Sequence, residues 1–99
     1  MVAPVSAEFE ADWVTAIQRC KELDINGIMG WALPTSDQLD WMYQNLHKKG
    51  LETFQEAWYW SSSVDGTGTH YPWIKSFNGG GESYSYEDMV ERVRAVRAF

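Results

Sequence analysis

Phe9, Trp13, Ala16, Ile17, Cys20 and Leu23 recur at spacings of three and four, drawing one apolar stripe that predicts a helix over about residues 8 to 23. A short extended "VAPV", broken by Pro4, precedes it, and Asn26-Gly27 marks its end. "IMGWAL" follows as a brief apolar extended piece in which Pro34 biases Leu33 away from helical angles.

At "LPTSDQ" the pattern turns a corner. Thr35 suits an N-cap and Gln38 stands three residues on, so the Thr hydroxyl and the Gln side chain form a capping box, with Asp37 at the positive end of the helix dipole. Leu39, Met42, Tyr43 and Leu46 supply the buried stripe of a second helix, Lys48 and Lys49 occupy its last turn, and Gly50 gives a left-handed stop.

From residue 51 the period shortens. "AWYWSSS" predicts a strand, "HYPWIKSF" carries Trp73 and Phe77 at strand parity, and "VRAVRAF" is short and β-branched; "VDGTGT" and "NGGGESYSYED" between them are built from turn residues. "MVERVRAV" is equally compatible with a helix, because Met89 or Val90, Val93 and Val96 recur every three. Two helices followed by strands make an α+β pattern in a single domain spanning 1–99. The loop from about 78 to 88 is long and almost free of apolar side chains apart from Tyr84 and Tyr86, which points to function or mobility.

Charge narrows the functions. The chain carries a net charge of −6, and an acidic surface repels phosphate backbones, so nucleic acid is not an expected partner. Arg92, Arg94 and Arg97 are expected as ion-pair partners for the many carboxylates. The single cysteine, Cys20, excludes an intrachain disulfide and fits a small core residue. No basic start followed by an apolar run is present, and no stretch approaches the roughly 18 apolar residues of a membrane span, so neither a signal peptide nor membrane insertion is expected, and display on a surface or virion would require a fused or associated partner.

Catalytic stock is poor. His47 falls in the Lys-rich end of the second helix, where a surface position favoured by the dipole is expected; His70 at a strand entrance is either a ligand contact or a loop residue. "SSSVDG" lacks the Gly-x-Ser-x-Gly elbow, "DGTGTH" lacks the ligand series of a calcium loop, and "NGGGE" lacks the helix start that completes a phosphate cradle. No enzyme activity, metal or cofactor is therefore expected. Between Ser61 and Tyr86 the chain is rich in Ser, Gly, Tyr and Thr, the composition of adaptable binding loops, which favours recognition.

Trp31, Leu33, Pro34 and Thr35, then Leu39, "YWSSS" at 59 to 63, Trp73 with Phe77 and Gly80, and the closing "VRAVRAF" together resemble the family of the C-terminal domain of the collagen-like adhesin Lcl, over about Trp13 to Phe99. Where that family has Arg and Glu, this chain has Ala32 and Gln38. The resemblance implies a C-type-lectin-like fold, two helices on a small twisted antiparallel sheet, and chooses strand for "VRAVRAF". It also implies that the "WALPT" corner locks the second helix to the sheet; the N-terminal hairpin that commonly precedes "VAP" in the family is absent, which implies either a minimal version or an edge covered by another chain, as in a homo-oligomer. Some members resemble variable proteins of diversity-generating retroelements, whose C-terminal stretch is rewritten, and residues 64–87 have that look.

With Trp73 and Phe77 turned inward, Ile74 and Ser76 are expected to point outward. The expected contact surface is Asp65, Thr67, Thr69, His70, Tyr71, Ile74 and Ser76, with Ser83, Tyr84 and Tyr86 from the following loop; Trp58, Trp60, Trp73 and Phe77 are expected as scaffold. The expected role is a non-catalytic receptor-binding or adhesion module, its surface diversified or fixed, or else an assembly domain, with a protein or carbohydrate ligand on a cell surface.

Overall fold

A computed structural model describes residues 1–64 and 71–97. Asp65, Thr67, Thr69 and His70, four of the expected contact residues, lie outside the described residues.

Asp12 starts the first helix rather than riding inside it. Its carboxylate accepts the backbone N–H of Thr15 at 2.9 Å, so α1 runs Trp13–Glu22, and Phe9 falls in a preceding strand, β1, Phe9–Ala11. Ala16 and Cys20 carry the buried stripe; the Cys20 thiol is fully buried and its pKa is pushed up to about 12 by that burial. Asn26 and Gly27, both at positive φ, form a tight turn between Ile25 and Ile28 beyond the helix instead of capping it.

The capping box is present as expected. Gln38 N–H donates to Thr35 Oγ1 at 3.2 Å and Thr35 N–H to Gln38 Oε1 at 2.8 Å, opening α2 at Ser36–Met42. The helix then widens into a π-helical turn over Tyr43–His47, and Gly50 closes it at φ +68°. That wider turn leaves His47 half-buried, its ring against Phe54 and Phe77, which lie 5.9 and 5.5 Å from it, centroid to centroid.

Four more strands follow: β2 Trp58–Val64, β3 Pro72–Ser76, β4 Glu82–Tyr84 and β5 Glu91–Val93. β4 corrects the expected loop over 78 to 88, and β5 ends at Val93, where the expected strand "VRAVRAF" begins. The sheet order is β1-β5-β2-β3-β4, antiparallel throughout except for the parallel β2/β5 pair. The fold is thus α+β, with α1 packed on β1 and β2 and α2 on β2 and β3.

Two apolar clusters form. Ala16 and Cys20 of α1 meet Trp31, Leu33, Trp60, Ile74 and Val93; Leu39 and Met42 of α2 meet Phe54, Tyr59, Phe77 and Val96. Sequence neighbours Tyr59 and Trp60 enter different clusters, so both faces of the central strands are covered. A strand covered on both sides has no outward parity. This overturns the expected exposure of Ile74 and Ser76, which are each 7% exposed.

The "WALPT" corner is stitched to the serines of "YWSSS". Ser62 N–H donates to Pro34 C=O at 2.7 Å, Ser36 N–H to Ser63 Oγ at 3.0 Å, and Ala32 exchanges both backbone hydrogen bonds with Val96. Trp31 is buried beneath, its indole N–H on Ile28 C=O at 2.9 Å. The corner therefore fixes the start of α2 to β2 by one backbone–backbone bond, which side-chain substitution does not remove, and by one bond that depends on the Ser63 hydroxyl.

Candidate ligand-binding surface

At the β3–β4 edge the sheet carries a cluster of rings. Trp73 of β3 pairs in register with Tyr84 of β4, which places both on one face, and Tyr71 two residues earlier shares that parity. Tyr71 stacks on Tyr84 at 5.5 Å and 8°, Tyr86 stands edge-on to Tyr71 at 5.1 Å, and Trp73 edge-on to Tyr84 at 5.6 Å. Offset stacks and edge contacts at these separations are attractive and hold the rings in place. Tyr84 and Tyr86 nonetheless stay 53% and 61% exposed.

Of the expected contact residues, Tyr71, Tyr84 and Tyr86 come together here. Ser83 does not join them: it is half-buried and pairs with Ile74 across the sheet. Ile74 lies in the core, and Ser76 serves the β3–β4 turn, its hydroxyl donating to Asn78 C=O at 2.9 Å and accepting Asn78 N–H at 3.1 Å.

The expected scaffold divides. Trp60 and Phe77 are buried, Trp60 donating its indole N–H to Ala11 C=O at 2.8 Å; Trp58 is 38% exposed, and half-buried Trp73 belongs to the ring cluster.

Three neighbours were missed by the sequence reading: Ser85, Met89 and Glu91. Tyr84, Ser85, Tyr86 and Met89 line a recess of about 280 Å³. Behind its wall the Ser85 hydroxyl donates to Glu91 Oε2 at 3.2 Å, and burial raises the Glu91 pKa, the Ser85 bond opposing it. The signal available was "YEDMVE", where apolar residues alternate with carboxylates in a stretch too polar for core.

Below the cluster, the platform is pinned electrostatically. Lys75, 4% exposed in mid-β3, donates to Asp40 of α2 at 2.8 Å and lies 3.7 Å from Glu82 of β4. Its ammonium thereby connects the helix, the centre of the sheet and the edge strand that carries Tyr84.

The sequence pattern of the Lcl C-terminal domain family matches residues 3–97. This chain belongs to that family. The match covers β1 through β5, both helices and the whole ring cluster, so the cluster is part of the Lcl C-terminal domain itself and not an appendage to it. No curated protein matches the chain.

Proposed function

We propose that this Lcl C-terminal domain is a non-catalytic recognition module of C-type-lectin-like type, displaying Tyr71, Trp73, Tyr84, Tyr86 and Met89 to a protein or carbohydrate ligand on a cell surface. One observation carries the reading: four aromatic rings lock onto one another outside both cores while two of them stay more than half exposed. Rings held that way offer large contact area at little further cost in side-chain entropy. Two helices on a small sheet support the lectin-like assignment.

A fixed surface fits the packing better than one diversified throughout residues 64–87. Pro72, Ile74, Lys75 and Ser76 are buried in that stretch, and substitutions at random there would open cavities or strand charges. A retroelement-type variable surface is the second reading, favoured by the exposure of Tyr84 and Tyr86, where replacement costs the core nothing. A near copy of the coding region differing at adenines, beside a reverse transcriptase gene, decides for diversification; its absence removes that reading.

The test of recognition is binding to arrays of glycans and of cell-surface proteins by the wild type and by Tyr84→Ala with Tyr86→Ala. Binding that disappears in the double variant while thermal melting is unchanged supports the reading. Binding that persists undiminished removes it, and a stable oligomer without ligand binding favours an assembly role.

A further inference from the structure

Between Lys75 and Arg92 the chain holds four carboxylates, Glu82, Glu87, Asp88 and Glu91, and no Lys, Arg or His. Glu82 has Lys75 as its partner, whereas Glu87, Asp88 and Glu91 make no ion pair among the described residues. These charges are interleaved with exposed apolar groups: Tyr84, Tyr86, Met89 and Val90 are all half exposed or more. Glu91 is the telling member, being half-buried behind the recess with one hydroxyl as its partner. A carboxylate withdrawn from water without a cation is costly, and the cost is recovered when a cation arrives.

We propose that this surface docks a positively charged segment of a partner protein, a Lys or Arg side chain entering the Tyr84–Ser85–Tyr86–Met89 recess toward Glu91. The inference rests on the recognition reading and names its partner. Aromatic faces and carboxylates together suit an ammonium or guanidinium, which gains from the ring quadrupole as well as from charge. Among the described residues that contact recurs internally, with Arg19 over Phe9, Lys75 over Tyr43 and Arg94 over Phe54, at 3.9, 5.5 and 4.4 Å. A neutral sugar laid on the rings would offer Glu91 hydroxyl donors but no opposite charge, and an anionic glycan would meet unpaired carboxylates of its own sign. The net charge of −6 also steers a basic segment inward from a distance.

The experiment is titration of the isotopically labelled domain, followed by amide chemical shifts, with a synthetic peptide alternating Arg and Leu, the same peptide with Glu for Arg, and a neutral oligosaccharide. Shifts at Tyr84, Ser85, Tyr86, Met89 and Glu91 with the basic peptide alone, weakening as salt is raised, are the expected result. Glu91→Gln weakens that binding about tenfold and Asp88→Asn less, since Asp88 is exposed. Failure of the basic peptide to move these residues overturns the inference, as does equal binding of both peptides or an unchanged affinity in Glu91→Gln with a native melt. Oligosaccharide shifts at the tyrosines without peptide shifts would discard the basic partner while leaving recognition intact; silence from all three, together with negative arrays, would discard both.

Discussion

Lys75 Nζ sits 2.8 Å from Asp40 Oδ1, joining a buried ammonium in the centre of the sheet to the exposed side of α2. The two partners are unequal: the Lys75 side chain is 5% exposed and that of Asp40 48%. Removing Asp40 takes the nearer carboxylate from the charge that water reaches least and leaves it Glu82, 3.7 Å away, and the face of Tyr43. Asp40→Asn is therefore expected to cost about 1 to 3 kcal/mol, the range for a buried group losing a charged partner. Lys75→Met, which replaces the charge with an apolar chain of similar length, is expected to cost less or nothing. Urea denaturation of both variants checks the order; a larger loss in Lys75→Met would contradict it.

Acid should act on this domain in two opposite ways. The Lys75 hydrogen bond holds Asp40 below the ordinary carboxylate value of 3.8, and the Thr15 backbone N–H does the same for Asp12. Between each folded-state pKa and 3.8 the unfolded chain binds more protons, so this stability is present above 3.8 and is lost as pH falls through the folded values. Glu91 runs the other way: burial raises it above 4.5, the folded state binds more protons in that window, and stability rises as pH falls through its folded value. A urea midpoint measured against pH should thus rise slightly on acidification before it falls below about pH 4. In Glu91→Gln the rise should vanish and the fall remain.

The corner shows how much of the fold local chemistry specifies. Thr35, Gln38 and Gly50 were legible because capping and left-handed stops depend on residues within one turn. The π-helical turn at Tyr43–His47 was not, since the His47 ring packs there on Phe54 from the following loop and on Phe77, thirty residues on, as well as on Tyr43. Ile74 and Ser76 failed for a related reason. Parity assigns two faces but does not say that a helix lies on each, and that fact depends on α1 and α2 docking from opposite sides. Tyr71, Tyr84 and Tyr86 were legible by composition alone, while Trp73 and Met89 join them only through the β3/β4 register and the turn after it.

Gly80 is held against Tyr43 more tightly than any side chain tolerates. A Cβ there would stand 2.5 Å from Tyr43 Cε2, and its backbone is at φ +82°. Gly50, at φ +68°, has open space around it. Both Ala variants incur the left-handed backbone cost of about 1 to 2 kcal/mol. Gly80→Ala must in addition displace a ring packed on Phe77, which adds about 1 to 3 kcal/mol as overpacking does elsewhere. Thermal melts are expected to rank wild type above Gly50→Ala above Gly80→Ala, and the pairing Gly80→Ala with Tyr43→Leu should recover part of the difference. Equal melting of the two Ala variants would mean that the Tyr43 ring moves aside freely.

Glu8 ties the start of the chain to its end. Its side chain, 2% exposed, accepts from Tyr59 Oη at 2.8 Å and Arg92 Nε at 2.6 Å, and Arg94 Nε lies 3.3 Å away. Arg94 is wholly buried, donates through Nη2 to Thr53 C=O, and lies over Phe54, yet its Nε and Nη1 lack hydrogen bonds, so charge attraction from Glu8 and Glu52 is what holds them. Glu8→Gln keeps the shape and deletes the anion between two guanidinium groups, and is expected to cost about 3 to 5 kcal/mol. Arg94→Met leaves Glu8 with Arg92 and Tyr59, so its cost should be smaller. Tyr59→Phe removes a donor from Glu8 and the acceptor of the Gln55 N–H, and should cost about 1 to 3 kcal/mol. Chemical denaturation at neutral pH gives the three values. If Arg94→Met proved costlier than Glu8→Gln, the buried guanidinium would hold this end of the sheet by its packing on Phe54 and its bond to Thr53, and the carboxylate would be secondary.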